Sequence, residues 1–89
     1  MATFLVVHPV GSEMDPEESK PLAQAIKASL TPDAYWTKSC YPRESGKLFC
    51  YWNAKDADSI RQVLEKAAPE LPTEGIYKID LMFSSEDYR

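Results

Sequence analysis

Apolar side chains at consecutive positions, where a half-wet strand would alternate, constrain this chain more than any other feature. Lys47 to Asn53 carries Leu48, Phe49, Cys50, Tyr51 and Trp52 without a break, too rich on both alternating faces for a strand with one side in water. Thr3 to Val10, TFLVVHPV, repeats the pattern: Phe4, Val6 and His8 fall on one face, Leu5 and Val7 on the other. Both strands are therefore expected in the middle of a sheet, covered above and below.

The remaining segments arrange themselves around these two. After a short link at Ala54 and Lys55, Asp56 or Asp58 can cap a helix whose Ile60, Val63, Leu64, Ala67 and Ala68 recur at helical spacing, and Pro69 ends it. Earlier in the chain, Asp15-Pro16-Glu17-Glu18 offers one helix start and Ser19-Lys20-Pro21 a second. Pro21 cannot donate a hydrogen bond inside a helix, so the regular part is expected from about Lys20 to Leu30, burying Leu22, Ala25, Ile26 and Leu30. Ala34 to Tyr41 reads as an edge strand because of Lys38 and Pro42, and Ile76 to Phe83 as another because Lys78 and Asp80 share one face. A three-residue loop at Glu44-Ser45-Gly46, with Gly46 left-handed, would set Cys40 opposite Cys50; a two-residue loop would shift the register by one.

Strand, helix, strand, strand, helix, strand with right-handed crossovers gives an α+β, ferredoxin-like βαββαβ sandwich: a four-stranded antiparallel sheet with two helices on one face. Residues 1–83 form the single domain and 84–89 a polar tail. Helices cover one face only, so the apolar residues of the other imply a second copy packed sheet to sheet, a homodimer of the dimeric α+β barrel type. An 89-residue chain buries a modest share of its surface, and a subunit interface would add to its stability.

Ten basic against fourteen acidic residues, with no basic run, argue against nucleic acid as a partner. No apolar stretch has the length of a membrane span, and two cysteines make no disulfide framework. The first strand begins almost at Met1 with no charged leader, so the expected location is cytoplasmic, with both thiols reduced.

Phe49-Cys50-Tyr51-Trp52-Asn53-Ala54, the acid-rich helix start after it, the proline-containing link into Ile76-Tyr77-Lys78-Ile79, the opening Val6-Val7-His8-Pro9 and the aromatic Trp36 together resemble a family of small ferredoxin-like domains of unknown function. That family includes a nickel-binding, nickel-responsive member. The resemblance spans most of the chain and implies the fold above; it also implies nickel or another transition metal as a cofactor. His8 is the one imidazole, and a single histidine is too few for a closed site unless a second copy supplies another across a dimer interface.

Site candidates follow from chemistry. His8, at the end of a central strand, suits a base or a metal ligand, against the plainer reading of a hydrogen-bonded strand-end histidine. Cys40 and Cys50 can join it in a soft metal site, although the usual ligand spacings are absent and two small buried hydrophobes describe them as well. Trp36, Tyr51 and Trp52 belong to an aromatic hairpin able to line a pocket for a flat apolar ligand, between sheet and helices or between two sheets of a dimer. The leading expectation is a homodimer binding a small ligand or a transition metal. The alternative is a cofactor-independent dimeric-barrel enzyme, a monooxygenase or isomerase, acting on an aromatic small molecule with His8 moving a proton.

Overall fold

A computed structural model describes residues 1–88. Its elements run β1 (Ala2–His8), α1 (Pro16–Ala28), β2 (Ala34–Cys40), β3 (Leu48–Ala54), α2 (Ala57–Ala67) and β4 (Gly75–Lys78), with single 3₁₀ turns at Arg43–Ser45 and Ser85–Tyr88. The strands lie in the order β2-β3-β1-β4, and every neighbouring pair is antiparallel. The apolar strands β1 and β3 occupy the centre and the charged ones the edges, as the residue pattern requires. The architecture is the ferredoxin-like sandwich.

Alternation along the central strands decides what the helices meet. Phe4, Val6 and His8 of β1 and Cys50, Trp52 and Ala54 of β3 are buried, and the β1 and β3 apolar residues among them join Ile26 of α1 and Ile60, Val63 and Leu64 of α2 in one core. The Asp56 side chain caps α2 by accepting from the Ser59 amide at 2.8 Å, which fixes the helix phase so that this apolar stripe faces the sheet. In α1 the chain uses the earlier of its two possible starts. Asp15 accepts from the Glu17 amide at 2.9 Å, and the helix runs from Pro16 to Ala28 rather than Lys20 to Leu30, with Pro21 inside it. Pro21 is exposed, so the carbonyl it leaves without a helical donor can be solvated, and an exposed helix face tolerates the loss. Only Ile26 of α1 is buried, against three residues of α2, and α1 is the thinly packed side of the helical layer.

Two expected registers change. Cys40 pairs with Phe49 and Cys50 with Ser39, so the thiols do not face one another. The connection is longer than three residues because a 3₁₀ turn at Arg43–Ser45 precedes Gly46, which does adopt the left-handed conformation (φ 69°). A bulge between Trp36 and Lys38 then inserts Thr37, whose hydroxyl donates to the Tyr51 carbonyl at 2.8 Å. The last strand also stops at Lys78 instead of Phe83. Its register sets Phe4 opposite Lys78, and one further bond runs from the Ile79 amide to the Thr3 carbonyl at 2.9 Å. Beyond that point β1 is exhausted, since it begins at Ala2. Leu81, Met82 and Phe83 therefore have no strand to pair with and stand 75%, 63% and 63% exposed.

Candidate functional site

A strand alternates, so β3 presents Leu48, Cys50 and Trp52 to the helical side, and β1 presents His8 beside Leu48. The bulge in β2 has a consequence here. Trp36 pairs with Trp52 before it and Ser39 with Cys50 after it, so both β2 residues share the helical face. Trp36 Nε1 donates to Ser39 Oγ at 2.8 Å, and Ser39 Oγ donates to Cys50 Sγ at 2.9 Å. A two-indole wall with an ordered polar edge results.

Opposite that wall, α1 brings two large apolar side chains, Leu22 and Ile26, with the small Ala23 between them. Little bulk fills the gap, and a cavity of about 350 Å³ remains between α1 and the β2–β3 hairpin. One end is closed by the loop before α1, where Tyr41 Oη accepts from the Met14 amide at 3.2 Å and donates to the Gly11 carbonyl. Arg43 stacks over the Tyr41 ring at 5.3 Å and donates to the Ser12 carbonyl at 2.9 Å, which holds the same loop from outside. Pro16, Ser39 and Cys40 line the cavity and are themselves exposed, so it opens to solvent on their side.

Two buried nitrogens belong to residues that border this cavity. His8 is fully buried and Trp52 is 1% exposed, yet His8 Nε2 and Trp52 Nε1 have no hydrogen-bond partner. The other ring nitrogen of His8, Nδ1, lies 3.0 Å from the Pro72 carbonyl oxygen and 3.2 Å from Thr73 Oγ1. A carbonyl only accepts, so Nδ1 carries the proton and Nε2 offers a bare lone pair. Burial lowers the His8 pKa below its ordinary 6.5, against a smaller raising effect of the Pro72 carbonyl, so the ring is neutral at pH 7. Trp52 Nε1–H is a donor only. Two residues that border the cavity thus bury one unused acceptor and one unused donor, both covered by protein, and each a group that native interiors seldom leave unpaired.

Of the residues singled out from sequence, His8, Trp36, Trp52, Cys40 and Cys50 line this cavity. Tyr51 does not; its neighbours in the chain face the helices, so it lies on the opposite face, with Lys38 Nζ 5.4 Å from its ring centre. Met14, Leu22 and Leu71 are lining residues that strand periodicity could not find, because each comes from a loop or helix whose approach to the sheet is tertiary.

Residues 4–79 match the family model described as "Nickel responsive protein SCO4226-like". This chain belongs to the SCO4226-like family. Its fold superposes on the crystal structure of SCO4226 from Streptomyces coelicolor A3(2) with a TM-score of 0.79 and 19% sequence identity, covering 92% of this chain and all of that one. No curated protein sequence matches it. The family description raises nickel, and the donors of this SCO4226-like chain can be tested against it. Burial pushes the Cys50 thiol up to about 11, so thiolate is scarce there at neutral pH, and Cys40 is exposed at its strand end. No group of three or more His, Cys, Asp and Glu gathers among the described residues. One chain by itself does not fit a nickel centre.

Proposed function

We propose that this SCO4226-like protein is a homodimeric binding protein for a small, largely apolar ligand, working in the cytoplasm, with the cavity beneath α1 as its site. The observation that carries the reading is an apolar cavity of about 350 Å³ walled by the cross-strand pair Trp36 and Trp52. The volume lies in the range of small-molecule sites, and few, well-placed polar groups on an apolar lining are how such sites orient a ligand. The dimer is supported by the face opposite the helices. Leu5, Phe49 and Tyr51 are half-buried there, Tyr35 and Tyr77 are exposed, and the apolar residues 81–83 project beyond the last strand. A second copy would remove this surface from water.

Titration with neutral aromatic compounds, followed by tryptophan fluorescence, tests the site, because both tryptophans of the chain line the cavity. A saturable change with one site per chain is expected; no saturable change across a panel of such compounds would remove the reading. Sedimentation at micromolar concentration should return twice the 10.1 kDa of one chain.

An enzyme of the cofactor-independent barrel type would need His8 Nε2, which is unpaired but without accessible surface, to be uncovered toward the cavity before it could accept a proton from a bound aromatic substrate. Its lowered pKa makes it a weaker base than a free imidazole, which favours binding over catalysis. Turnover of a bound compound that stops on His8→Gln would reverse that preference. A nickel-binding role, which the family description suggests, requires ligands from two copies of His8; stoichiometric nickel uptake lost on His8→Leu would establish it in place of the ligand site.

A further inference from the structure

We propose that the cavity selects flat, uncharged aromatic molecules of about two fused rings, and that Trp36, held in place by Ser39, is the residue that makes the selection. This rests on the cavity being a ligand site and adds what the ligand must be and which side chain reads it.

Reach decides which residues matter. His8, Cys50, Trp52 and Leu64 border the cavity but are buried, so a ligand finds little of them to cover. Among the half-buried lining residues, which keep accessible surface, Trp36 and Tyr41 are the aromatic ones. Both have their polar ends occupied by the protein. Trp36 Nε1 donates to Ser39 Oγ at 2.8 Å, and Tyr41 Oη is shared between the Met14 amide and the Gly11 carbonyl. What they offer a ligand is ring carbon rather than a free N–H or O–H.

The Trp36 ring is also held. Ser39 Oγ, which accepts from the indole, donates in turn to Cys50 Sγ at 2.9 Å, and Cys50 is buried in the central strand β3. A half-exposed indole on an edge strand would otherwise exchange among rotamers, and these two bonds tie it to the core. A ring already fixed loses little freedom when a ligand packs on it, so the attraction between rings appears as affinity. Aromatic rings attract one another, offset-stacked or edge to face, beyond the area they bury. A saturated ring of the same size gains only the burial.

Size and charge complete the class. A cavity of about 150 Å³ accommodates benzene, and the present one is about 350 Å³, so a single ring leaves it underfilled. None of the described residues lining it is Asp, Glu, Lys or Arg, and a carboxylate or ammonium drawn inside would lack a counter-charge.

The experiment measures binding of coumarin, octahydrocoumarin and coumarin-3-carboxylate to the unmodified protein by calorimetry. The first two share a two-ring lactone skeleton, one flat and aromatic and the other saturated; the third adds a negative charge at neutral pH. Coumarin should bind about two- to tenfold more tightly than octahydrocoumarin, the range that one aromatic contact supplies, and the carboxylate more weakly than coumarin. A merely oily cavity ranks octahydrocoumarin level with coumarin or above it, because the saturated rings carry more apolar surface. That order, or the carboxylate binding as well as coumarin, would overturn the proposal while leaving the cavity as a ligand site. Failure of all three to bind would remove the site itself and the proposal with it. In Trp36→Leu the preference for coumarin should vanish with octahydrocoumarin affinity kept; a preserved preference would overturn the role of Trp36. In Ser39→Ala the preference should shrink, and Ser39→Thr, which keeps the hydroxyl, should retain it. A merely structural role for Ser39 would weaken both ligands alike and leave their ratio unchanged, which would overturn its part in holding Trp36. Ser39→Ala is a small change at an exposed position and keeps the selection testable if Trp36→Leu does not fold.

Discussion

Lowering the pH through the neutral range should destabilise this protein through one side chain. His8 is the sole histidine and is buried neutral, its pKa lowered by desolvation from 6.5. The unfolded chain takes up a proton at about 6.5, the folded chain only at a lower pH. Between those two values the unfolded state holds more protons, so stability is complete above about pH 6.5, falls as the pH drops through the window, and stops falling once the folded state is also protonated. One proton limits the slope to about 1.4 kcal/mol per pH unit. The Asp56 carboxyl, held below its usual value by hydrogen bonds from the Ser59 side chain and backbone, titrates far below this window. Urea denaturation at fixed protein concentration, at steps from about pH 7 to about pH 5, should show this slope, and His8→Leu should flatten it. The same variant should lie between about 0.5 kcal/mol less stable and about 2.5 kcal/mol more stable at pH 7, because removing an unpaired Nε2 recovers about 1–3 kcal/mol while the lost Nδ1–Pro72 bond costs about 0.5–1.5. A flat profile in the parent protein, or an equal slope in His8→Leu, would refute a buried neutral imidazole with a bare nitrogen. A large loss of stability in the variant would show that Nε2 is in fact bonded in the folded state.

Other consequences are as direct. Alkaline destabilisation should begin near pH 9 and continue to about 11, because the unfolded Cys50 thiol ionises at 9.0 while burial first, and nearby Cys40 to a lesser degree, hold the folded one protonated to about 11; Cys50→Ala should remove this limb of the denaturation profile. In the native protein a thiol reagent at neutral pH should titrate the exposed Cys40 rapidly and the buried Cys50 only on unfolding. Ile60→Ala, at a fully buried contact between α2 and the sheet, should cost about 2–5 kcal/mol in urea denaturation. Deleting Thr37 should remove the bulge while leaving Trp36 opposite Trp52 and Ser39 opposite Cys50 in plain alternation, so the tryptophan emission should be kept and the strands retained in circular dichroism; a large change of emission would show that Thr37 is not the inserted residue.

What could be read in the chain alone depended on short-range periodicity. Consecutive apolar residues in β1 and β3 placed those strands centrally, helical spacing after Asp56 placed α2, and period-two alternation put Phe4, Val6 and His8 on one face of β1. The same alternation, followed strictly, would have separated Tyr51 from Trp52, since adjacent residues of a strand point to opposite faces. Misplaced features were those set by a distant partner. The end of β4 is decided by where β1 begins, the thiol register by the 3₁₀ turn and the bulge at Thr37, and the start of α1 by a cap at Asp15 competing with the penalty for Pro21.

Sequence by itself determined the element order, the central pair of strands and the aromatic character of the hairpin, because each follows from side chains a few residues apart. Tertiary structure alone decided that α1 leaves a cavity over the sheet, and that His8 Nε2 and Trp52 Nε1 are buried unpaired. A void is defined by what packs from several segments at once, and an unpaired atom by every neighbour that fails to reach it; neither is a property of any local stretch of chain.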